Sequence, residues 1–137
     1  MLRLAMLAIL LAGVFPEHAC AQPGRAIVPY LQDHFGLREA QVRGALGALL
    51  VYARDQLPKP EFDELAERIP NASRIMEEVK LRGIVTGPLD DLDDYEQALS
   101  SLGIGQPLAS RIAPAVVQYL GEAGFVHERD ILARLVD

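Results

Sequence analysis

The stretch Phe35–Tyr52, FGLREAQVRGALGALLVY, limits what this chain can fold into more than any other segment. It opens with an aromatic residue, a glycine and a leucine, and continues as an apolar helix rich in small residues. A fainter version returns at Leu102–Tyr119, LGIGQPLASRIAPAVVQY. When Phe35 is aligned with Leu102, the two halves match without gaps at Gly36/Gly103, Ala48/Ala115, Tyr52/Tyr119 and Leu65/Leu132. Amphipathic helices share some apolar positions by chance, but the matched glycines favour a duplicated helical hairpin.

Apolar residues recur at three- and four-residue spacing along most of the chain, which indicates amphipathic helices. Proline and glycine separate the segments and are typical of helix starts and ends. We predict helices over Tyr30–Phe35, Glu39–Gln56, Glu61–Ile69, Ala72–Leu81, Asp90–Leu102, from Pro107 to about Leu120, and over Glu128–Val136. No segment makes a convincing strand. We therefore expect an all-α fold, a small helical bundle in which two pseudo-repeated helical hairpins surround one core.

The first 21 residues have the anatomy of a secretory signal peptide. Arg3 precedes the apolar run Leu4–Val14, and Ala19-Cys20-Ala21 offers small residues at a cleavage site. The run is shorter than the roughly 20 residues that span a bilayer. We expect cleavage before Gln22, which leaves residues 22–137 as a single all-helical domain that is periplasmic or secreted. An uncleaved membrane anchor and a lipoprotein modified on Cys20 are the alternatives.

Composition argues against several classes of partner. Cys20 is the only cysteine, so the processed chain would contain no disulfide. The net charge of −6 is unsuited to nucleic acid and to anionic lipid surfaces, both of which attract basic clusters. Between Gly83 and Glu128 the only basic residue is Arg111, which predicts a negative side on the second half of the fold. We expect no nucleic-acid partner and no transmembrane segment after cleavage.

Two glycines lie inside the predicted helix Glu39–Gln56. Gly44 and Gly47 each cost about 1 kcal/mol relative to alanine in a helix interior. The helix is therefore either weak or kinked there, or closely approached by another helix. Ala45 and Ala48 in the same region also have small side chains, which favours the close approach of another helix.

No segment carries a recognisable catalytic or metal-binding pattern. Asp90–Asp94 has clustered carboxylates but lacks the alternation and the central glycine of a calcium loop, so helix capping explains it better. His34 and His127 do not have the spacing of a metal-binding helix and are expected at helix ends. No serine lies in a G-x-S-x-G motif. We expect no catalytic residue, no metal and no cofactor, and hence a protein that is not an enzyme.

The segment FGLREAQVRGALGALLVYARDQL, followed by EFDELAERIP, resembles the VcgC/VcgE-type family of small exported bacterial proteins of unknown function. The likeness rests on the entry Phe35-Gly36-Leu37, the glycine-rich helix Gly44–Tyr52, the link Leu57–Phe62 and the end Ile69-Pro70. LGIGQPLASRIAPAVVQYL is similar to a second block of the family. Phe35 at the entry and the link Val79–Leu89 depart from it. The resemblance implies an all-helical exported domain and no activity, cofactor or catalytic residue.

These observations favour a non-enzymatic module that binds another envelope protein or itself. An exposed apolar patch along Leu46, Leu49 and Leu50, continuing to Ala53, would serve that role. The alternative is a carrier that holds a small apolar ligand in a pocket between the repeats, near Tyr52 and Tyr119. An enzyme would need a deep cleft that joins one of the histidines to carboxylates.

Overall fold

The computed structural model describes residues 26–137, which form seven α-helices and contain no strand. The helices are α1 Ile27–Phe35, α2 Glu39–Gln56, α3 Lys59–Glu67, α4 Ala72–Leu81, α5 Leu92–Ser100, α6 Ala109–Glu122 and α7 Val126–Val136. The prediction of an all-α helical bundle is confirmed. The predicted signal peptide, residues 1–21, lies outside the described residues and stays a prediction.

Two glycines matched in the sequence end corresponding helices. Gly36 has φ 69°, and its backbone N–H donates to the carbonyl oxygen of Gln32 at 2.8 Å. Gly103, which follows the last turn of α5, has φ 79°. This left-handed conformation is open to glycine at little steric cost, and it satisfies carbonyl groups that a helix end leaves free. The same turn therefore precedes both long helices.

The aspartates before α5 cap that helix. The Asp91 side chain accepts a hydrogen bond from the backbone N–H of Asp94 at 2.9 Å. The Asp94 carboxylate in turn accepts from the backbone N–H of Asp90 at 3.0 Å. Capping of this kind satisfies amide groups at a helix start that have no partner within the helix. The capping interpretation of the acidic segment is confirmed.

Helix α2 is the centre of the fold, because α1, α3, α4, α5 and α7 all pack against it. Every residue from Gly44 to Ala53 is buried. A helix covered on all sides is apolar on all sides rather than along one stripe. Leu46, Leu49, Leu50 and Ala53 are accordingly no more than 3% exposed. The expectation that they form an exposed apolar patch is wrong, because the other helices surround them.

Close packing explains the glycines of α2. A Cβ atom on Gly47 would lie 2.5 Å from Cγ1 of Val79 on α4. A Cβ atom on Gly44 would lie 2.7 Å from the side chain of Leu102. Such distances are well inside van der Waals contact, so an added Cβ would force the Leu102 side chain to move at Gly44 and would press against α4 at Gly47. The prediction of a close approach is confirmed, and α4 is the helix that approaches Gly47.

The two halves of the chain have corresponding helices, with α1, α2 and α3 in the first and α5, α6 and α7 in the second. Helix α1 packs against α2 and α6, and α5 packs against α6 and α2. Helix α3 packs against α7. Exchanging the halves therefore preserves these contacts, while α4 has no counterpart. The arrangement is compatible with a duplicated hairpin, which itself stays a prediction.

Ion pairs join α3 and the segment after it to α7, and the two helices run antiparallel. The ion pairs are Glu61–Arg134 at 3.3 Å and Arg68–Glu128 at 3.2 Å, and between them Nε2 of His127 lies 2.8 Å from a carboxylate oxygen of Glu64. The Arg68 guanidinium also lies 4.6 Å from the centre of the Phe125 ring. These contacts hold the last helix of one half against the last helix of the other.

Glu128 is the best-buried carboxylate of the described residues, with 7% exposure. Burial alone would raise the pKa of this carboxyl. Its backbone hydrogen bond and its pairing with Arg68 outweigh burial and hold the pKa below the ordinary value. The Arg68–Glu128 pair is therefore stabilising when Glu128 is ionised.

Candidate interaction surface

A void between α2 and α6 is almost filled by side chains, while the predicted pocket near Tyr52 and Tyr119 stays a prediction. Leu46, Leu49 and Leu50 of α2 line a void of about 10 Å³ together with Val116 of α6 and other apolar residues. A space of that size holds at most one water molecule. These leucines thus form part of the core, and the void has no room for a small apolar ligand.

Tyr52 and Tyr119, the residues predicted to line a pocket between the repeats, have different aromatic partners. The Tyr52 ring lies 6.2 Å from the Tyr95 ring, and the Tyr119 ring lies 5.2 Å from the Tyr30 ring. Tyr95 is 1% exposed, and its hydroxyl has no hydrogen-bond partner within the described part of the chain. Burial raises the pKa of this hydroxyl. The two predicted tyrosines therefore belong to separate contacts.

The two histidines of the described region lie in structural contacts. The His34 ring is 5.8 Å from that of Tyr30 and 4.6 Å from that of Phe35. His127 pairs with Glu64 across the α3–α7 contact. Within residues 26–137, no group of three or more histidine, cysteine or acidic side chains is placed to hold a metal ion.

The most distinctive surface is the loop between α4 and α5, which is exposed at its crest and fixed at both ends. The backbone N–H groups of Ile84 and Val85 donate to the carbonyl oxygen of Val79, at 2.9 and 3.2 Å. At the other end, the backbone N–H of Leu89 donates to the Asp55 carboxylate at 3.1 Å. We call the exposed segment between them, residues 86–88, the loop ridge.

A second contact fixes the far end of the loop ridge to α2. The side-chain amide of Gln56 donates to the carbonyl oxygens of Leu89 and Asp90, at 2.9 and 3.1 Å. Val85 and Leu89 are both 6% exposed, and they anchor the loop in the core. A loop held at both ends loses little conformational entropy when it binds a partner, which favours recognition.

An open groove of about 540 Å³ lies on one side of the loop ridge, and we call it the basic groove. Its floor includes the apolar side chains of Val51 and Val85, and its charged residues are Arg54, Asp55 and Lys80. Asp55 is occupied, since it accepts the hydrogen bond from Leu89 and lies 3.8 Å from Arg54. Its two basic residues and one carboxylate give the groove a formal charge of +1, and its two valines are almost fully buried.

A groove of about 320 Å³ lies on the other side of the loop ridge, and we call it the acidic groove. Its lining is mixed, with Ile84 and Leu89 among the apolar residues and Asp94, Gln97 and Ser101 among the polar ones. Asp90 and Asp91 adjoin it in the chain. None of these carboxylates forms an ion pair with a described residue. The predicted negative side of the second half stays a prediction, to which these carboxylates would contribute.

Leu81, at the end of α4, is 83% exposed and follows Lys80 of the basic groove. The inward positions of α4 are Ile75, Met76 and Val79, so Leu81 lies off the buried stripe. Large exposed leucines are common singly, but one at the margin of a groove adds apolar area where a partner could bind.

Sequence reasoning did not find this surface. The residues of the loop ridge have no periodicity, and the grooves exist only because the loop lies between α4 and α5. One signal was available: Leu81 falls outside the apolar stripe of its own predicted helix, which indicates an exposed leucine.

No helix in residues 26–137 combines the length and the apolar character that a membrane span requires. A family model described as protein of unknown function VcgC/VcgE (DUF2780) matches residues 16–132. No curated protein and no solved structure matches the chain. The family match covers all of α1 to α6 and most of α7, and so includes the loop ridge and both grooves.

Proposed function

The chain belongs to the VcgC/VcgE family of proteins of unknown function, and we propose that it is an exported, non-enzymatic module that binds another protein. The family indicates no activity, so the proposal is based on the surface of this chain. The observation that carries this proposal is the loop ridge, anchored at both ends and flanked by two open grooves of about 540 and 320 Å³. An exposed loop that is anchored at both ends and flanked by grooves offers a partner both shape and a fixed set of contacts.

The residues that line the grooves favour binding of a partner over catalysis of a reaction. The basic groove combines an apolar floor at Val51 and Val85 with Arg54 and Lys80 at its rim. Protein interfaces have this composition, with apolar area at the centre and charged groups around it.

The proposal that the protein is exported is based on residues 1–21, which contain Arg3, an apolar run and small residues before Gln22. A native mass spectrum of the protein recovered outside the cytoplasm tests it. Loss of residues 1–21 would support export and processing, and recovery of the intact chain from the cytoplasm alone would contradict them.

Photo-crosslinking in the producing cells tests the binding function. A photoreactive amino acid replaces Thr86 on the loop ridge, and in a matched control it replaces Ser110, an exposed residue on α6. We expect a covalent adduct of defined mass from position 86 and none, or several-fold less, from position 110. If position 86 gives no adduct above the control, the loop ridge does not bind a protein and the proposal fails.

A further inference from the structure

We propose that a second surface, separate from the loop ridge, binds an acidic segment of a partner protein. Its main residues are Arg74 and Arg82, which lie one turn before and one turn after Glu78 on α4. We call this surface the arginine flank. Lys80 of the basic groove is two positions from Glu78, about 200° around the helix, and so lies on the opposite side of α4.

The carboxylate between the two arginines already has a partner on the facing helix. Nε of Arg43 on α2 donates to one carboxylate oxygen of Glu78 at 3.2 Å, and a terminal nitrogen of the same guanidinium donates to the other oxygen. The pKa of Glu78 is lowered, first by the hydrogen bond from Arg43 and further by the charges of Arg74 and Arg82. Because a bidentate arginine is the strongest partner that a carboxylate finds among side chains, Arg43 offsets the charge of Glu78.

Arg74 and Arg82 themselves have only weak contacts with the rest of the protein. Nε of Arg74 lies 3.9 Å from a carboxylate oxygen of Glu78, and the Arg74 side chain is 78% exposed. Arg82 is exposed, donates to the carbonyl oxygen of Ala40 at 3.4 Å, and forms no ion pair with a described residue. Such exposed contacts contribute little to stability. Most of the N–H donors of both guanidiniums are therefore open to an acceptor on another molecule.

The charge of the arginine flank is opposite to that of the whole chain. Its three arginines face two carboxylates, those of Glu78 and of Glu39, whose charge acts on Arg43. The formal charge of this surface is thus +1, in a chain with a net charge of −6. Since the rest of the chain repels a polyanion, an acidic partner is directed to the arginines.

The spacing of the two arginines favours a polypeptide over a small anion. Arg74 and Arg82 are eight positions apart in helical backbone, about 12 Å along the axis. A single phosphate placed between them would lie against the carboxylate of Glu78. Two carboxylates at positions i and i+4 of an extended segment are about 13 Å apart, so each can meet one arginine. Arginine clusters recognise acidic motifs of other proteins through contacts of this kind.

Fluorescence anisotropy of a labelled oligoglutamate peptide, titrated with the purified full chain at low ionic strength, tests the inference. We expect saturable binding by the wild type and at least fivefold weaker binding by Arg74→Gln and by Arg82→Gln. Arg111→Gln is the matched control, because Arg111 is an exposed arginine on α6 and its loss removes the same charge. We expect this control to bind as the wild type does and all three variants to keep the wild-type urea unfolding curve.

Competition with inorganic phosphate at matched ionic strength tests the preference for a segment of polypeptide. We expect phosphate to displace the peptide no better than chloride does, because a small anion cannot meet both arginines without approaching Glu78. Displacement by phosphate at concentrations where chloride has no effect would show a site for a small anion and would overturn the inference.

The variants and the crosslinking experiment separate this inference from the proposed function. A wild-type chain that does not bind the peptide overturns the inference, and so does a loss of affinity that is equal in Arg111→Gln and the two flank variants. An adduct at position 86 without peptide binding removes the arginine flank alone. Peptide binding that depends on Arg74 and Arg82, without an adduct at position 86, supports the arginine flank and removes the loop ridge.

Discussion

A methyl group built on Gly47 would lie 2.8 Å from the backbone carbonyl oxygen of Ile75 on the facing helix α4. Because the obstacle is backbone, no side-chain rotation can relieve the contact. The two helices therefore meet through their main chains at this point, and α4 can lie so close to α2 only because residue 47 is glycine.

Gly47→Ala should destabilise the fold by about 1–2 kcal/mol, because the overpacking cost exceeds the gain in helix propensity. Gly44→Ala is the matched control. There the obstacle is the end of the Leu102 side chain, which can move, so we expect a change of less than about 1 kcal/mol. Urea unfolding of both variants measures the difference. Equal losses of stability in the two variants would show that a clash with the main chain costs no more than a clash with a side chain.

Tyr95→Phe should stabilise the protein by about 1 kcal/mol, since a buried hydroxyl without a hydrogen-bond partner costs roughly 1–3 kcal/mol. The phenyl ring keeps its contact with Tyr52. A loss of stability in Tyr95→Phe would mean that the hydroxyl has a partner such as a buried water.

The Arg68–Glu128 pair should make stability depend on pH in the acid range. The pKa of Glu128 is lowered in the folded protein, so its contribution is complete above the unfolded value of about 4.3. The contribution is lost as the pH falls through the lower folded pKa. Glu128→Gln should therefore lose about 1–2 kcal/mol at neutral pH.

Unfolding free energies of the wild type and Glu128→Gln, measured from pH 7 down to about pH 3, test this dependence. We expect the difference between them to shrink as the pH falls. A difference that stays constant across the range would mean that the charge of Glu128 is not what stabilises the contact between α7 and Arg68.

Asp91→Ala should cost about 1 kcal/mol, because it removes the side chain that caps α5. Asp93→Ala removes a carboxylate from the same first turn without a capping bond and should cost less. Addition of calcium chloride should leave the melting temperature of the wild type unchanged. A rise in the melting temperature that Asp91→Ala abolishes would revive the calcium interpretation.

Periodicity was enough to predict the helices, because each of them buries a face against the same core. The bounds of α2 and α4 agree with the prediction, while α3 begins at Lys59 rather than Glu61 and α7 at Val126 rather than Glu128. Proline and glycine determined the breaks between segments, and the clustered aspartates marked the start of α5. Local chemistry is sufficient for such features.

Periodicity could not predict which apolar residues remain exposed. Leu46, Leu49 and Leu50 form a stripe that is also typical of a binding face, and only the arrangement of the other helices around α2 buries them. The loop ridge and its grooves arise from tertiary placement of an aperiodic segment. Gly44 and Gly47 did predict the close helix contact, because glycine inside a helix needs a reason beyond propensity.

The crossed packing of α1 and α5 has a consequence for the independence of the two halves. The first helix of each half packs against the long helix of the other half, and α3 packs against α7. A chain that ended before α5 would leave apolar faces of α1, α2 and α3 in water. Either half alone would leave those faces in water, so we expect the two halves of residues 26–137 to unfold together in a single cooperative step.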